Sequence, residues 1–225
     1  MADEPANARE RQLTRNPRGH ILTNIGVWSP PGEWVVYDTR SDPAGNVFDG
    51  DTIERVHVRT GQVEVLYRSQ RGAHCGVVTW SPVAEQVVFI LGPEQPTPEW
   101  SYGPYHRQGV MVDAGRPGVA RRLDARDLVP PFTPGALRGG SHVHVFSPDG
   151  NLVSFTYEDH VLAEFHESPP DHDVNLRNVG VSLLGRPVSV PARHPRNHDG
   201  EAFSVLVTRT TANPRPGSDE ICRAC

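Results

Sequence analysis

The sequence predicts an all-β chain, a partial β-propeller of about three four-stranded antiparallel blades plus the first strand of a fourth. Two observations carry this. The first is a ten-residue segment that occurs three times: Trp28-Ser29-Pro30-Pro31-Gly32-Glu33-Trp34-Val35-Val36-Tyr37, Trp80-Ser81-Pro82-Val83-Ala84-Glu85-Gln86-Val87-Val88-Phe89 and Phe146-Ser147-Pro148-Asp149-Gly150-Asn151-Leu152-Val153-Ser154-Phe155. Serine to serine, the spacings are 52 and 66 residues. The second is the composition, 21 Gly and 22 Pro in 225 residues, with no stretch of sustained helical periodicity.

Each copy reads as a tight hairpin. An apolar strand runs up to the aromatic residue, and Ser-Pro opens the turn because proline presets its φ and lacks the donor a central strand needs. Pro31-Gly32 and Asp149-Gly150 suit the turn, and Val83-Ala84 suits it least. β-Branched and aromatic residues then form the second strand. A further strand pair follows each hairpin: Ile53–Arg59 with Val63–Arg68, Gly109–Val112 with Val119–Leu123, and Asn178–Leu183 with Val188–Val190. Phe203–Arg209 reads as the first strand of a fourth unit, and Arg11-Gln12-Leu13-Thr14 as the end of an outermost strand of the kind that closes a propeller ring. The expected organisation is a disordered N-terminus over 1–10, the partial propeller over 11–210 with blades at about 20–70, 73–124 and 141–191 and a further start at 202–210, and a tail over 211–225.

No apolar run approaches the ~20 residues that span a bilayer, and Met1–Arg11 is polar and charged with no apolar signal core, so the expected location is cytoplasmic. A net charge of −5 gives no electrostatic footprint for nucleic acid. The three cysteines, Cys75, Cys222 and Cys225, fit a reducing compartment. Cys222 and Cys225 have C-x-x-C spacing without a second pair, which reads as accidental spacing at a chain end more readily than as a metal or redox site. Walker A, dinucleotide-fingerprint and G-x-S-x-G motifs are absent from the sequence.

The repeats resemble those of the bacterial TolB-like, WD40-like propellers, which read W-S-P-D-G followed by an apolar strand. Tyr37-Asp38-Thr39-Arg40-Ser41-Asp42-Pro43, the stretch from Gly139 to Gly150, and His194-Pro195-Arg196-Asn197-His198-Asp199-Gly200 look like an uncharacterised bacterial family within that group. Oligogalacturonate lyases are similar at a greater distance. Propellers close with four to eight blades. Three blades and a start fall short of that, so the chain is expected to be a truncated member, or one completed by a partner, with uncovered blades prone to self-association.

Propeller topology brings the residues just ahead of each innermost strand together near the axis. Six of the 11 histidines stand at such places: His20, His74, His142, His144, His194 and His198. His20 and His74 suit a structural hydrogen bond between blades. His74, His142, His144, His194 and His198 are the candidate metal ligands, since neutral imidazoles from several strands can form an open site. The resemblance to oligogalacturonate lyases implies a manganese ion there, binding a uronate carboxylate, with a nearby histidine as base. Three long loops share that face: Ser41–Thr52 with Asp42, Asp49 and Asp51; Gly92–Gln108 with Trp100, Tyr102, Tyr105, His106 and Arg107; and Glu158–Arg177 with Asp159, His160, His166, Asp171, His172 and Asp173. The aromatic loop suits stacking on a sugar ring, with Arg107 or Arg138 pairing a carboxylate, so His106, Arg107 and Arg138 are the candidate catalytic residues. Two functions stay open: a TolB-like module binding a protein or small ligand on its loop face, and a divalent-metal lyase or hydrolase acting on acidic sugars. Neither nucleic acid nor membrane is expected as a partner.

Overall fold

The computed structural model describes residues 10–23, 25–164, 176–211 and 213–222. Three four-stranded antiparallel sheets follow one another along the chain. The first holds β1 (Gly19–Ile21), β2 (Trp34–Arg40), β3 (Thr52–His57) and β4 (Val63–Arg68). The second holds β5 (Cys75–Trp80), β6 (Gln86–Leu91), β7 (Gln108–Asp113) and β8 (Ala120–Arg122). Two short parallel strands, β9 (Ala125–Arg126) and β10 (Ala136–Leu137), lie in the connection to the third sheet. That sheet holds β11 (Gly139–Phe146), β12 (Leu152–Asp159), β13 (Asn178–Val188) and β14 (Gly200–Leu206), with the four-residue helix α1 (His160–Ala163) after β12. A parallel pair, β15 (Arg209–Thr210) and β16 (Glu220–Ile221), follows. Within each sheet the spatial order is the chain order, as in a propeller blade.

The repeated serine closes each hairpin. Ser29, Ser81 and Ser147 donate their backbone N–H to the carbonyls of Trp34, Gln86 and Leu152. In the first and third copies the serine hydroxyl also accepts the N–H of the residue five positions on, Trp34 or Leu152. The second copy lacks that bond, and Ser81 Oγ accepts instead from Val83 N–H at 3.4 Å. This fits its turn, which has no glycine to take positive φ as Gly32 and Gly150 do.

The sheets stack face to face, and β6 shows how. Val87 and Phe89 belong to the core shared with the first sheet, beside Val36, Ile53, Tyr67 and Cys75. Val88 belongs to a second core with Met111, Leu123, Phe146, Val153 and Ala202, between the second and third sheets. Alternate side chains of one strand thus serve two interfaces. A strand covered on both faces reads as an unbroken apolar run, as Val87-Val88-Phe89-Ile90-Leu91 does. The first sheet's inner edge is less covered: Ile25 and Trp28 are 95% and 55% exposed, while the equivalent Trp80 is buried.

The innermost strands β5 and β11 carry a bulge at one equivalent place. Register shifts fall between Gly76 and Thr79 and between His142 and Val145. At their centres Val77 and Val143, each four residues before the repeated serine, have φ of 59° and 53°. Positive φ is costly for a β-branched residue and persists only where its surroundings enforce it. At Val77 the enforcement is visible, because its N–H donates to Asp38 Oδ1 at 2.9 Å across the sheet interface.

Three sequence expectations need correction. Phe203–Arg209 does not open a fourth unit: Gly200–Leu206 pairs with β13 as the fourth strand of the third sheet. Val188–Val190 is not a separate strand, since β13 runs on through Arg186 to Val188 past a register shift. The polar run after Leu184 concealed that continuation. Arg11–Thr14 is not a strand; it lies along the outer edge of the first sheet, with Arg11 donating to the Arg59 carbonyl and Leu13 packed on the core. Residues 1–9, His166, Asp171, His172, Asp173 and Cys225 lie outside the described residues.

Candidate functional site

A compact aromatic and imidazole cluster forms where three segments meet. From the long loop between β6 and β7 come Trp100 and His106, stacked with ring centres 3.9 Å apart. α1 supplies His160, whose ring meets Trp100 edge-on at 4.6 Å. The loop between β13 and β14 supplies His194, 6.1 Å from Trp100. The guanidiniums of Arg126 and Arg196 each lie 5.6 Å from the Trp100 ring centre.

Hydrogen bonds fix the tautomers. His106 Nδ1 lies 2.8 Å from the Ser101 carbonyl, which can only accept, so that nitrogen carries the hydrogen. His106 Nε2 is then an acceptor, and it receives the Nδ1 hydrogen of His160 at 3.1 Å. His160 Nε2 is left as the basic end of the pair, 3.4 Å from Glu164 Oε1. Arg196 N–H donates to His194 Nδ1 at 3.1 Å, which leaves the hydrogen of neutral His194 on Nε2. A recess of about 600 Å³ opens here, lined by Trp100, His160, Glu164, His194 and Arg196. It adjoins one of about 290 Å³ walled by Leu128, Val161 and the same two histidines.

The His194 loop is held in place from two sides. Buried Asp127 accepts from Arg193 at 3.0 Å, from Asn197 at 2.9 Å and from the Thr133 hydroxyl at 2.8 Å. On the other side Arg196 donates to the carbonyls of Glu94 and Gln95 at 2.9 and 3.1 Å. Beneath the cluster, buried Arg126 donates to the carbonyls of Gly139, His106 and Arg107. It thereby ties the second sheet's long loop to the start of β11.

The five candidate metal ligands are not gathered into one set. Among the described residues no three His, Cys, Asp or Glu side chains stand close enough to hold a metal ion. His194 and His198 lie in the β13–β14 loop, not ahead of a fourth innermost strand, because that strand belongs to the third sheet. The bulge at Val143 separates His142 from His144, so simple strand alternation does not relate them. His144 is fully buried, its Nε2 bonded to Ser141 Oγ, which in turn donates to Asp124. His142 is half-buried near Arg107, and His74 Nδ1 is buried without a hydrogen-bond partner.

Of the catalytic candidates, only His106 is in the cluster. Buried Arg107 donates its Nε to the Pro104 carbonyl at 3.3 Å and bonds Tyr102. Arg138 is engaged by Asp159, with Nε and a terminal nitrogen 2.9 and 2.5 Å from Oδ2, and covers the Phe132 ring. It therefore anchors the end of β12. The carboxylates of the first loop close turns and pair locally: Asp42 takes the N–H groups of Asn46 and Val47, Asp49 that of Ser41, and Asp51 the side chains of Arg18 and Arg68. Arg126 and Arg196 stand at the cluster without having been singled out in the sequence, and His160 was noted only as a residue of the acidic loop. The one available signal was the charged set Asp124, Arg126 and Asp127 directly after the strand read at Val119–Leu123.

Burial holds several histidines neutral. It lowers His106 to about 4 and His144 to about 3. His142 falls to about 3 chiefly through burial and then through Arg107, and His198 falls well below 6.5 through burial beside Arg126 and Arg122. In the unfolded chain these groups protonate near 6.5, so their stabilising share is complete above that pH and is lost as pH falls toward 3. For fully buried His144 the slope is about 1.4 kcal/mol per pH unit in this window. Asp38 acts the other way below its own raised value of about 6, offsetting part of the loss. Chemical denaturation should show a flat midpoint from about pH 8 to 7 and a steep fall below about 6. An unchanged midpoint between about pH 7 and 5 would contradict this assignment.

The family profile of DUF3748, a protein family of unknown function, matches residues 74–198, which include Trp100, His106, His160, His194 and His198. A curated Escherichia coli (strain K12) relative, the uncharacterized protein YidR, is 53% identical over 214 residues, 95% of this chain. The chain spans 49% of that relative's length. Among solved structures, TolB from Acinetobacter baumannii aligns over 84% of this chain and 34% of its own at 13% identity and a TM-score of 0.45. A second solved chain, from Agrobacterium tumefaciens, aligns over 86% of this chain and 60% of its own at 18% identity and a TM-score of 0.46. Such distant likenesses say nothing of function. The match over residues 74–198 and the identity to YidR run through the second and third sheets and the loops that build the cluster, and the chain belongs to the DUF3748 family.

Proposed function

We propose that this chain is a propeller-type module that binds a small ligand in the recess on its loop face. The observation that carries this is the meeting of Trp100, His160 and His194, from three separate segments, around an open recess of about 600 Å³, with His106 stacked on Trp100. That volume suits a small organic molecule. The wall offers the small exposed part of the Trp100 indole, which is 7% exposed and stacked on His106, with a basic His160 Nε2, a donating His194 Nε2 and the Glu164 carboxylate. Loops carry these groups, and rigid sheets with buried Arg126 and Asp127 hold the loops. No observation favours the metal-dependent lyase over this reading.

Trp100 and its neighbours supply the readout. Titration with galacturonate oligomers, with neutral monosaccharides and with manganese alone, each followed by tryptophan fluorescence, is expected to give a saturable change with a sugar probe. His160→Ala should weaken that binding by about tenfold or more, as lost contacts of ~1.4 kcal/mol do. Failure of every probe, or full affinity in His160→Ala, would overturn the reading. Release of an unsaturated product with manganese added would restore the lyase.

A further inference from the structure

A second and larger pocket, of about 850 Å³, lies where the outer part of the second sheet meets the β13–β14 loop. Gln108, Arg122, Arg126, Arg196 and His198 are on its wall, and Trp100 separates it from the recess described above. Its charges do not cancel locally. Glu201 is taken by Arg121, and Glu94 lies 3.7 Å from Arg71. Asp199 accepts the Val190 N–H at 2.6 Å. Arg126 is engaged by three carbonyls. Among the described residues Arg122 and Arg196 have no carboxylate partner, and Arg122 is exposed at the end of β8.

His198 adds an independent demand. It is 9% exposed, and its Nδ1 lies 3.1 Å from the Asp199 carbonyl, so that nitrogen carries the hydrogen. Its Nε2 is buried with no hydrogen-bond partner. A buried acceptor without a donor costs free energy until one arrives. Burial first, and then Arg126 and Arg122 close by, oppose protonation of the ring, so Nε2 stays a bare lone pair. The pocket therefore has room for two things at once, an anion beside Arg122 and Arg196, which have no carboxylate partner among the described residues though Arg196 also donates to two carbonyls, and a hydrogen for His198.

We propose that this pocket binds a small hydroxylated oxyanion, with Arg122 and Arg196 holding a phosphate or carboxylate and His198 Nε2 accepting a ligand hydroxyl hydrogen. Guanidinium pairs well with either anion, and the pocket volume accommodates a six-carbon ligand.

Calorimetry with glucose 6-phosphate, gluconate and glucose tests it, the first two distinguishing phosphate from carboxylate and the third lacking charge. At least one charged probe is expected to bind with a Kd below about 1 mM, and glucose is not. Arg122→Gln, at an exposed position that should not disturb folding, is expected to weaken it by about tenfold or more. His198→Leu should do likewise, while inorganic phosphate, which lacks the ligand's carbon-borne hydroxyls, should bind more weakly than the sugar phosphate. His160→Ala should leave this affinity intact, so loss of the recess and loss of this pocket are separately visible. Absence of binding by both charged probes at ~10 mM, or full affinity in Arg122→Gln, would overturn the proposal.

Discussion

Replacement of Arg126 by methionine is expected to lower the unfolding free energy by about 3–5 kcal/mol, the cost of stripping a buried charge of its partner. Arg126 is 3% exposed and donates to Gly139 at 3.2 Å, His106 at 3.2 Å and Arg107 at 2.5 Å. Its charge opposes the rise that burial imposes on Asp124, whose Oδ2 has no hydrogen-bond partner and which is wholly buried. Methionine keeps the length of the side chain and removes both functions, leaving three carbonyls short of donors. Urea unfolding checks this, and a loss below about 1 kcal/mol would contradict it. The double change Arg126→Met with Asp124→Asn should recover part of the loss, because the orphaned charge is then gone.

Phe89→Ala is expected to cost about 3–5 kcal/mol for a different reason, the cavity it leaves. Phe89 is fully buried on β6, its ring centre 5.1 Å from that of Tyr67 on the neighbouring sheet. It lies in the core that joins the first and second sheets. Val119→Ala, at a side chain 54% exposed before β8, is expected to change stability by less than about 0.5 kcal/mol. Equal effects at the two positions would mean that the sheets do not pack face to face as described.

The hairpins were legible in the sequence because their chemistry is local. Ser-Pro, the turn glycines and the apolar run on β6 each act within ten residues, and the structure uses them as read. The end of the third sheet was not legible. β13 continues through Gly185-Arg186-Pro187, residues that ordinarily mark a turn, and its partner β14 arrives only after an eleven-residue loop. That one displacement moved His194 and His198 out of the supposed axial set. The bulge at Val143 was also hidden, since nothing in Ser141-His142-Val143-His144 announces a positive φ. Trp100 and His106 were visible as an aromatic loop, but their meeting with His160 and His194 depends on Arg126, Asp127 and Arg196, long-range ties with no repeat or motif to mark them.

The most direct test of the loop-face site is nitrogen NMR of the histidine rings, recorded with and without whichever sugar probe saturates the tryptophan signal. The geometry predicts the hydrogen of His106 on Nδ1 and that of His194 on Nε2 in the free protein. It also predicts that the probe shifts His160 Nε2 and the Trp100 indole most, and that His160→Ala abolishes the Trp100 shift. Opposite tautomers at His106 and His194, or ligand shifts that spare both His160 and Trp100, would contradict the site.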